Sequence, residues 1–142
     1  SDRAFTAEEA AHLQPLLDEF AAQWVSHNRQ LKAAGKLLYD RFIVLMVDET
    51  QADASGCSID KSVYFLKEVE KAFGVSLFDR LTFAWQDGEE VQIAPQETFR
   101  ELYRKGEITD DTLVFDNLVK TREELEKQWL RPLKETWHKR MV

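Results

Sequence analysis

Apolar positions along the chain alternate between a helical and an extended period. Thr6 with Glu9 three residues on forms a capping box, which starts a helix. Leu13, Leu16 or Leu17, Phe20 and Trp24 then recur at helical spacing. Pro15 removes one backbone donor inside that pattern and predicts a kink or a break. Ser26 to Gly35 is polar, ends in glycine and reads as a connection. Lys36 to Val47 is the strongest strand signal. Its continuous apolar stretch Phe42-Ile43-Val44-Leu45-Met46-Val47 suits a strand covered on both faces and ending at Asp48-Glu49. Thr50 to Gly56 reads as a loop. A second amphipathic helix follows, capped by Ser58 or Asp60, with Ile59, Val63, Leu66, Val69 and Phe73 as its apolar stripe and Gly74 as its stop.

The second half repeats the alternation. Leu81 to Ala94 reads as a hairpin about Asp87-Gly88. Pro95 opens a short helix bearing Phe99, Leu102 and Tyr103, and Gly106 ends it. Thr112 to Phe115 reads as a last short strand. Thr121 with Glu124 is a second capping box, leading into Leu125 and Trp129, and Pro132 limits that helix. Helices interleaved with a hairpin and isolated strands predict a single α+β domain over 1–142, with a mixed β-sheet and helices packed on it.

Composition narrows the partners. The chain has 142 residues, 44% of them hydrophobic, with only five Gly and three Pro, which is too few for a linker-rich or disordered protein. Its longest apolar run is far shorter than a membrane helix, so no membrane partner is expected. No basic segment followed by an apolar one marks a secretory leader. Nineteen Lys and Arg against 26 Asp and Glu give a formal charge of -7. That field repels phosphate backbones and disfavours nucleic acid as a partner. A local basic patch remains at the C-terminal end, with Arg131, Lys134, His138, Lys139 and Arg140, and reads as a solvated tail. The single cysteine, Cys57, excludes an internal disulfide and a Cys-rich zinc site, and it fits the reducing cytoplasm.

Candidate chemistry gathers where the apolar strand gives way to the second helix. Asp48 and Glu49 end the strand. Ser55, Gly56, Cys57, Ser58 and Asp60 lead into the helix, and Arg41 precedes the strand. A helix N-terminus aims free N–H groups at what lies before it, and its dipole favours thiolate over thiol at Cys57. Gly56 lets the backbone turn closely there. The arrangement suits an anion or partner pocket, or a nucleophilic cysteine. The plainer reading is that Ser58 and Asp60 cap the helix, Cys57 is a small buried hydrophobe, and the acids end a strand in solvent.

Asp48-Glu49, the stretch Ala54-Ser55-Gly56-Cys57-Ser58-Ile59-Asp60, Phe78-Asp79-Arg80, Thr112 to Val119 and Trp137-His138 together resemble a family of small uncharacterised bacterial proteins often labelled "ABC transporter ATPase". Ser55 to Asp60 is the most specific part of the likeness, which runs over essentially the whole chain. The family brings no established activity. Its relatives begin with a short aromatic strand ahead of the segment matching Ser1 to Phe5, which implies an incomplete sheet edge or a late start here. The ATPase label itself fails. Gly35-Lys36 is followed by Leu37 and Gly56 by Cys57, so no phosphate-cradling G-x-x-x-x-G-K-[ST] loop exists. Phe99 to Phe115 also looks like the helix–Gly–turn–strand passage of small GYF-like peptide-binding domains, which supports the helix–turn–strand reading more than peptide binding.

Other signals carry less. Ser58 to Lys61 matches S-x-x-K without its S-D-N and K-T-G partners. A Cys–His pair needs His12, His27 or His138 brought to Cys57. Asp48, Glu49 and Asp60 match no known Mg²⁺ loop, and no metal or cofactor is expected. Trp24, Trp85, Trp129 and Trp137 read as packing, although an exposed Trp137 beside His138 would mark a partner surface. The leading expectation is a small non-enzymatic ligand- or protein-binding module. The rivals are an enzyme with Cys57 as thiolate nucleophile and a subunit of a larger assembly.

Overall fold

A computed structural model describes residues 1–26, 29–48 and 56–142, and only the backbone of 26, 29, 56 and 57. The chain is α+β, and its described part divides into two compact units, Ser1–Phe78 and Asp79–Val142, each combining helices with antiparallel strands. Every strand pairing among the described residues is antiparallel, in two-stranded and four-stranded sheets, where a mixed sheet was expected.

In the first unit, α1 spans Ala7–Gln23. The Thr6 hydroxyl accepts from the Glu9 N–H, and the Glu9 carboxylate accepts from the Thr6 N–H, so both halves of the capping box form. The helix continues through Pro15 as one 17-residue element. Pro15 leaves the Ala11 carbonyl without its helical donor, but Ala11 and Pro15 are both exposed and water can satisfy that carbonyl. Leu13, Leu17 and Ala21, four residues apart, form its buried stripe.

The polar stretch read as a connection holds strands. β1 (Val25–Ser26) pairs with β2 (Arg29–Gln30), and β3 (Lys32–Leu38) forms a full hairpin with β4 (Phe42–Asp48). The reversal uses Tyr39 and Asp40, with φ of 55° and 52°, and is closed by the Arg41 N–H donating to the Leu38 carbonyl at 3.1 Å. α1 lies on β3 at Gly35, where an added Cβ would stand 3.1 Å from the Leu17 Cβ. β4 is half-buried along its length rather than sealed on both faces. Its alternate residues Ile43, Leu45 and Val47 pack into the unit's cores.

α2 spans Gly56–Phe73 and presents Ser58, Phe65, Val69 and Phe73 inward. Ile59, expected in the apolar stripe, is 54% exposed. The rest of the predicted stripe holds: Val69 is buried, and Val63, Leu66 and Phe73 are half-buried. Gly74 ends the helix at φ 65°, as the stop signal implied.

In the second unit, β5 (Thr82–Asp87) and β6 (Glu90–Pro95) form the expected hairpin, with Asp87 opposite Glu90 and Gly88 at φ 64°. The two-residue loop is therefore Gly88-Glu89, one position beyond Asp87-Gly88. α3 (Gln96–Arg104) follows, then β7 (Leu113–Phe115), α4 (Arg122–Gln128) and β8 (Leu130–Pro132), in the sheet order β6-β5-β7-β8. Phe83, Phe99, Ile108, Val114 and Leu133 make the core.

The basic C-terminal segment is folded into this unit instead of trailing in solvent. Arg131 pairs with Asp116 at 3.1 Å, Lys134 with Asp111 at 2.9 Å and Lys139 with Asp110 at 2.8 Å. Trp137 is half-buried and donates its indole N–H to Asp116 Oδ1 at 2.9 Å. His138 is sealed under the rings of Phe83 and Trp137.

Candidate functional site

Arg41 belongs to a different place from the other residues grouped with it by the sequence. It follows the turn at one end of the β3–β4 hairpin, and Asp48 closes the other end of the seven-residue β4. At ~3.3 Å per residue the two backbones stand roughly 20 Å apart. The Arg41 guanidinium donates to the Ser1 carbonyl at 3.2 Å, and burial lowers its pKa from the usual value, with the Asp2 carboxylate opposing. Asp48 faces Lys32 across the ladder, with their charged atoms 3.9 Å apart.

The start of α2 also differs from expectation. The helix begins at Gly56, so Cys57, Ser58 and Asp60 lie inside it, and neither Ser58 nor Asp60 is its cap. Ser58 is fully buried, and its carbonyl accepts the Trp24 indole N–H at 2.9 Å, which ties α2 to the end of α1. Asp60 is exposed on the helix surface. Glu49 and Ser55 lie outside the described residues, as do the side chain of Cys57, the surroundings of Gly56 and the whole of His27. Among the described residues no three His, Cys, Asp or Glu side chains come together as a metal site.

A cleft lies in the second unit, at residues outside the predicted site. Its volume is about 460 Å³, within the range of small-molecule sites. One wall is the end of β5, with Trp85, Gln86 and Asp87, joined by Gln92 of β6. The other is Leu102 of α3 and the turn before β7, with Glu107, Ile108, Asp111 and Thr112.

Local structure explains why a cleft opens there. β5 and β7 are paired only at Trp85 and Val114. Toward the Gly88 turn the strands part, because residues 109–112 form a turn of their own. The Thr112 N–H donates to the Thr109 carbonyl at 3.1 Å, and the Thr109 N–H donates to the Thr112 hydroxyl at 2.9 Å. That turn draws the chain away from β5 and leaves a fork. Trp85 stands at its closed end, half-buried and edge-on to Phe99 with 5.6 Å between ring centres. Leu102 and Ile108, the latter 1% exposed, form the apolar base.

Two sequence features meet here, Trp85 on an alternating strand beside a glycine turn and the helix–Gly–turn–strand passage from Phe99 to Phe115, but the first reads as packing and the second as local structure. Their meeting depends on one strand pairing between segments about 30 residues apart in sequence, which local patterns do not encode.

His138, a candidate partner for a catalytic cysteine, is committed elsewhere. Its Nδ1 shares a hydrogen bond with the Thr136 hydroxyl at 2.9 Å. Burial lowers its pKa from 6.5 to about 4, against the pull of Asp116. It is a neutral core residue near pH 7.

No protein-family model, curated protein or solved structure matches the chain. Among the described residues no helix is long and apolar enough to cross a membrane.

Proposed function

We propose that this is a non-enzymatic binding module that takes a segment of a partner protein in the cleft between the end of β5 and the turn before β7. The observation carrying this reading is the open fork at Trp85, where an aromatic ring, an apolar base and neutral amides converge on one cavity of about 460 Å³. Aromatic side chains anchor protein contacts, and Gln86 and Gln92 offer donors and acceptors for an extended backbone. Residence in the cytoplasm is part of the proposal and rests on the lone cysteine.

The test begins with peptides selected from a displayed random library on the full chain. They are then titrated against ¹⁵N-labelled protein while the indole N–H signals are followed. Selected peptides should move the Trp85 signal, and Trp85→Ala should weaken them at least tenfold. Binders indifferent to Trp85, or no binders at all, would overturn the reading.

A further inference from the structure

We infer that the occupant of this cleft is a basic, extended segment of a partner protein, with an Arg or Lys side chain seated at the Trp85 ring between Asp87 and Glu107. The inference deepens the reading of the cleft as the binding site and rests on it.

Charge carries the argument. Three carboxylates, those of Asp87, Glu107 and Asp111, line the cleft, and no Lys, Arg or His does. Asp111 is already engaged by Lys134 at 2.9 Å. Asp87 and Glu107 have no ion-pair partner among the described residues, and both are exposed. Two uncompensated carboxylates thus stand over opposite walls, one ending β5 and the other preceding Ile108.

The groups between them fit a cation on a chain rather than a free ion. An indole face attracts guanidinium or ammonium, Arg more often than Lys. Gln86 and Gln92 are neutral and add no charge to repel one. The apolar base suits the methylene stem of a long basic side chain, whose head would stay near the wet rim. β7 pairs with β5 at Trp85 alone, so an extended backbone fits beside Gln86 and Asp87 more readily than a helix. The formal charge of -7 on the whole chain steers a basic partner inward and turns polyphosphates away.

The experiment uses the full chain and four fluorescein-labelled capped hexapeptides that differ at two positions: both arginine, both lysine, both glutamate or both leucine. N-acetyl-arginine amide is the single-residue control. The arginine peptide should bind most tightly, lysine next, and glutamate at least tenfold more weakly than arginine. Raising NaCl from 50 to 500 mM should weaken the arginine peptide severalfold. The double substitution Asp87→Asn with Glu107→Gln should weaken it about fivefold, as two rim charges at well under 1 kcal/mol each imply. Glu126→Gln, on α4 outside the cleft, should leave it unchanged. Should the double variant lose its far-UV circular dichroism, the salt response of the unaltered protein decides the charge argument alone. A glutamate or leucine peptide that binds as well and still needs Trp85 would refute the basic occupant and leave the binding site standing. N-acetyl-arginine amide binding as tightly as the hexapeptide would refute the extended segment. Peptide binding of every composition that ignores Trp85→Ala would remove both proposals together.

Discussion

Each unit is built on a hairpin backed by a helix, and the two differ in how they are held. β3–β4 reverses through Tyr39-Asp40, two non-glycine residues in the left-handed region, and is fixed by α1 lying against Gly35. β5–β6 reverses through Gly88 and is backed by α3, whose Phe99 meets Phe83 at 5.3 Å and Trp85 at 5.6 Å. In the second hairpin the turn residue suits its backbone and the aromatic packing follows. In the first, packing imposes a turn that its residues do not favour. Turn chemistry makes one hairpin visible from sequence, and the tertiary contact that overrides it hides the other.

The largest expected effects come from cutting the backing helices. Phe99, fully buried at the centre of its aromatic cluster, should cost about 4 kcal/mol as Phe99→Ala, and Leu17→Ala should cost about 3 kcal/mol. Urea denaturation gives the totals. The two cores share no residue, so hydrogen exchange should rise first in the unit that carries the substitution. Equal exchange across both units would show that the hairpins do not unfold separately.

Acid should distinguish the two units next. His138 packs on the second hairpin through Phe83 and Phe99, and burial lowers its pKa from 6.5 to about 4. The unfolded chain therefore takes up a proton at higher pH than the folded one. Stability from the neutral imidazole is complete above about pH 6.5 and falls as pH drops toward 4, by on the order of 2 kcal/mol. In the first unit, the hydrogen bond from Arg3 chiefly lowers Glu9 from 4.5 to about 2, so its contribution is complete above about pH 4.5 and fades only as pH falls from there toward 2. Residue-resolved exchange between pH 6.5 and 4 should loosen the β5–β6 region before the start of α1. His138→Gln should flatten the first window. A flat profile in the unaltered protein would contradict a neutral buried imidazole.

Both capping boxes, the Gly74 and Gly106 stops, the β5–β6 hairpin and the α+β class were legible, because each depends on residues within a few positions of one another. The β3 strand was not. Its residues Lys32 to Lys36 include two alanines and a glycine, a poor strand signal that gains meaning only when Leu17 sits on Gly35. The C-terminal basic residues read as a tail because their partners Asp110, Asp111 and Asp116 stand 15 to 29 residues earlier. At the candidate site, sequence proximity grouped Arg41 with Asp48, and the hairpin places them at opposite ends. The cleft escaped because Trp85 and Glu107 converge only through the sheet.

Gly35→Ala tests the helix contact directly. The new methyl would press on the Leu17 Cβ at 3.1 Å, Leu45 Cδ2 at 3.2 Å and the Leu17 carbonyl at 3.3 Å. The Leu45 methyl can rotate aside, but α1 must shift as a body. We expect a loss of about 1 kcal/mol, although alanine is otherwise the better strand residue. A gain would show that α1 is not seated tightly enough to impose the turn.

The turns themselves give the smallest effects, with opposite signs. At Gly88, φ 64° suits glycine, and nothing lies within 4 Å of an added Cβ, so Gly88→Ala isolates backbone strain and should cost about 1 kcal/mol. At Asp40, φ 52° strains a residue with a side chain, so Asp40→Gly relieves strain while adding freedom to the unfolded chain. The two terms partly cancel, and aspartate tolerates this region better than most residues, which leaves a gain of about 0.5 kcal/mol. Tyr39→Gly should gain less, because it also removes the ring that meets Phe42 edge-on at 6.4 Å. Urea midpoints for the three variants decide the point. If Asp40→Gly and Gly88→Ala both destabilise by the same amount, the first turn is not strained, and the contrast between a hairpin set by its turn and one set by its helix collapses.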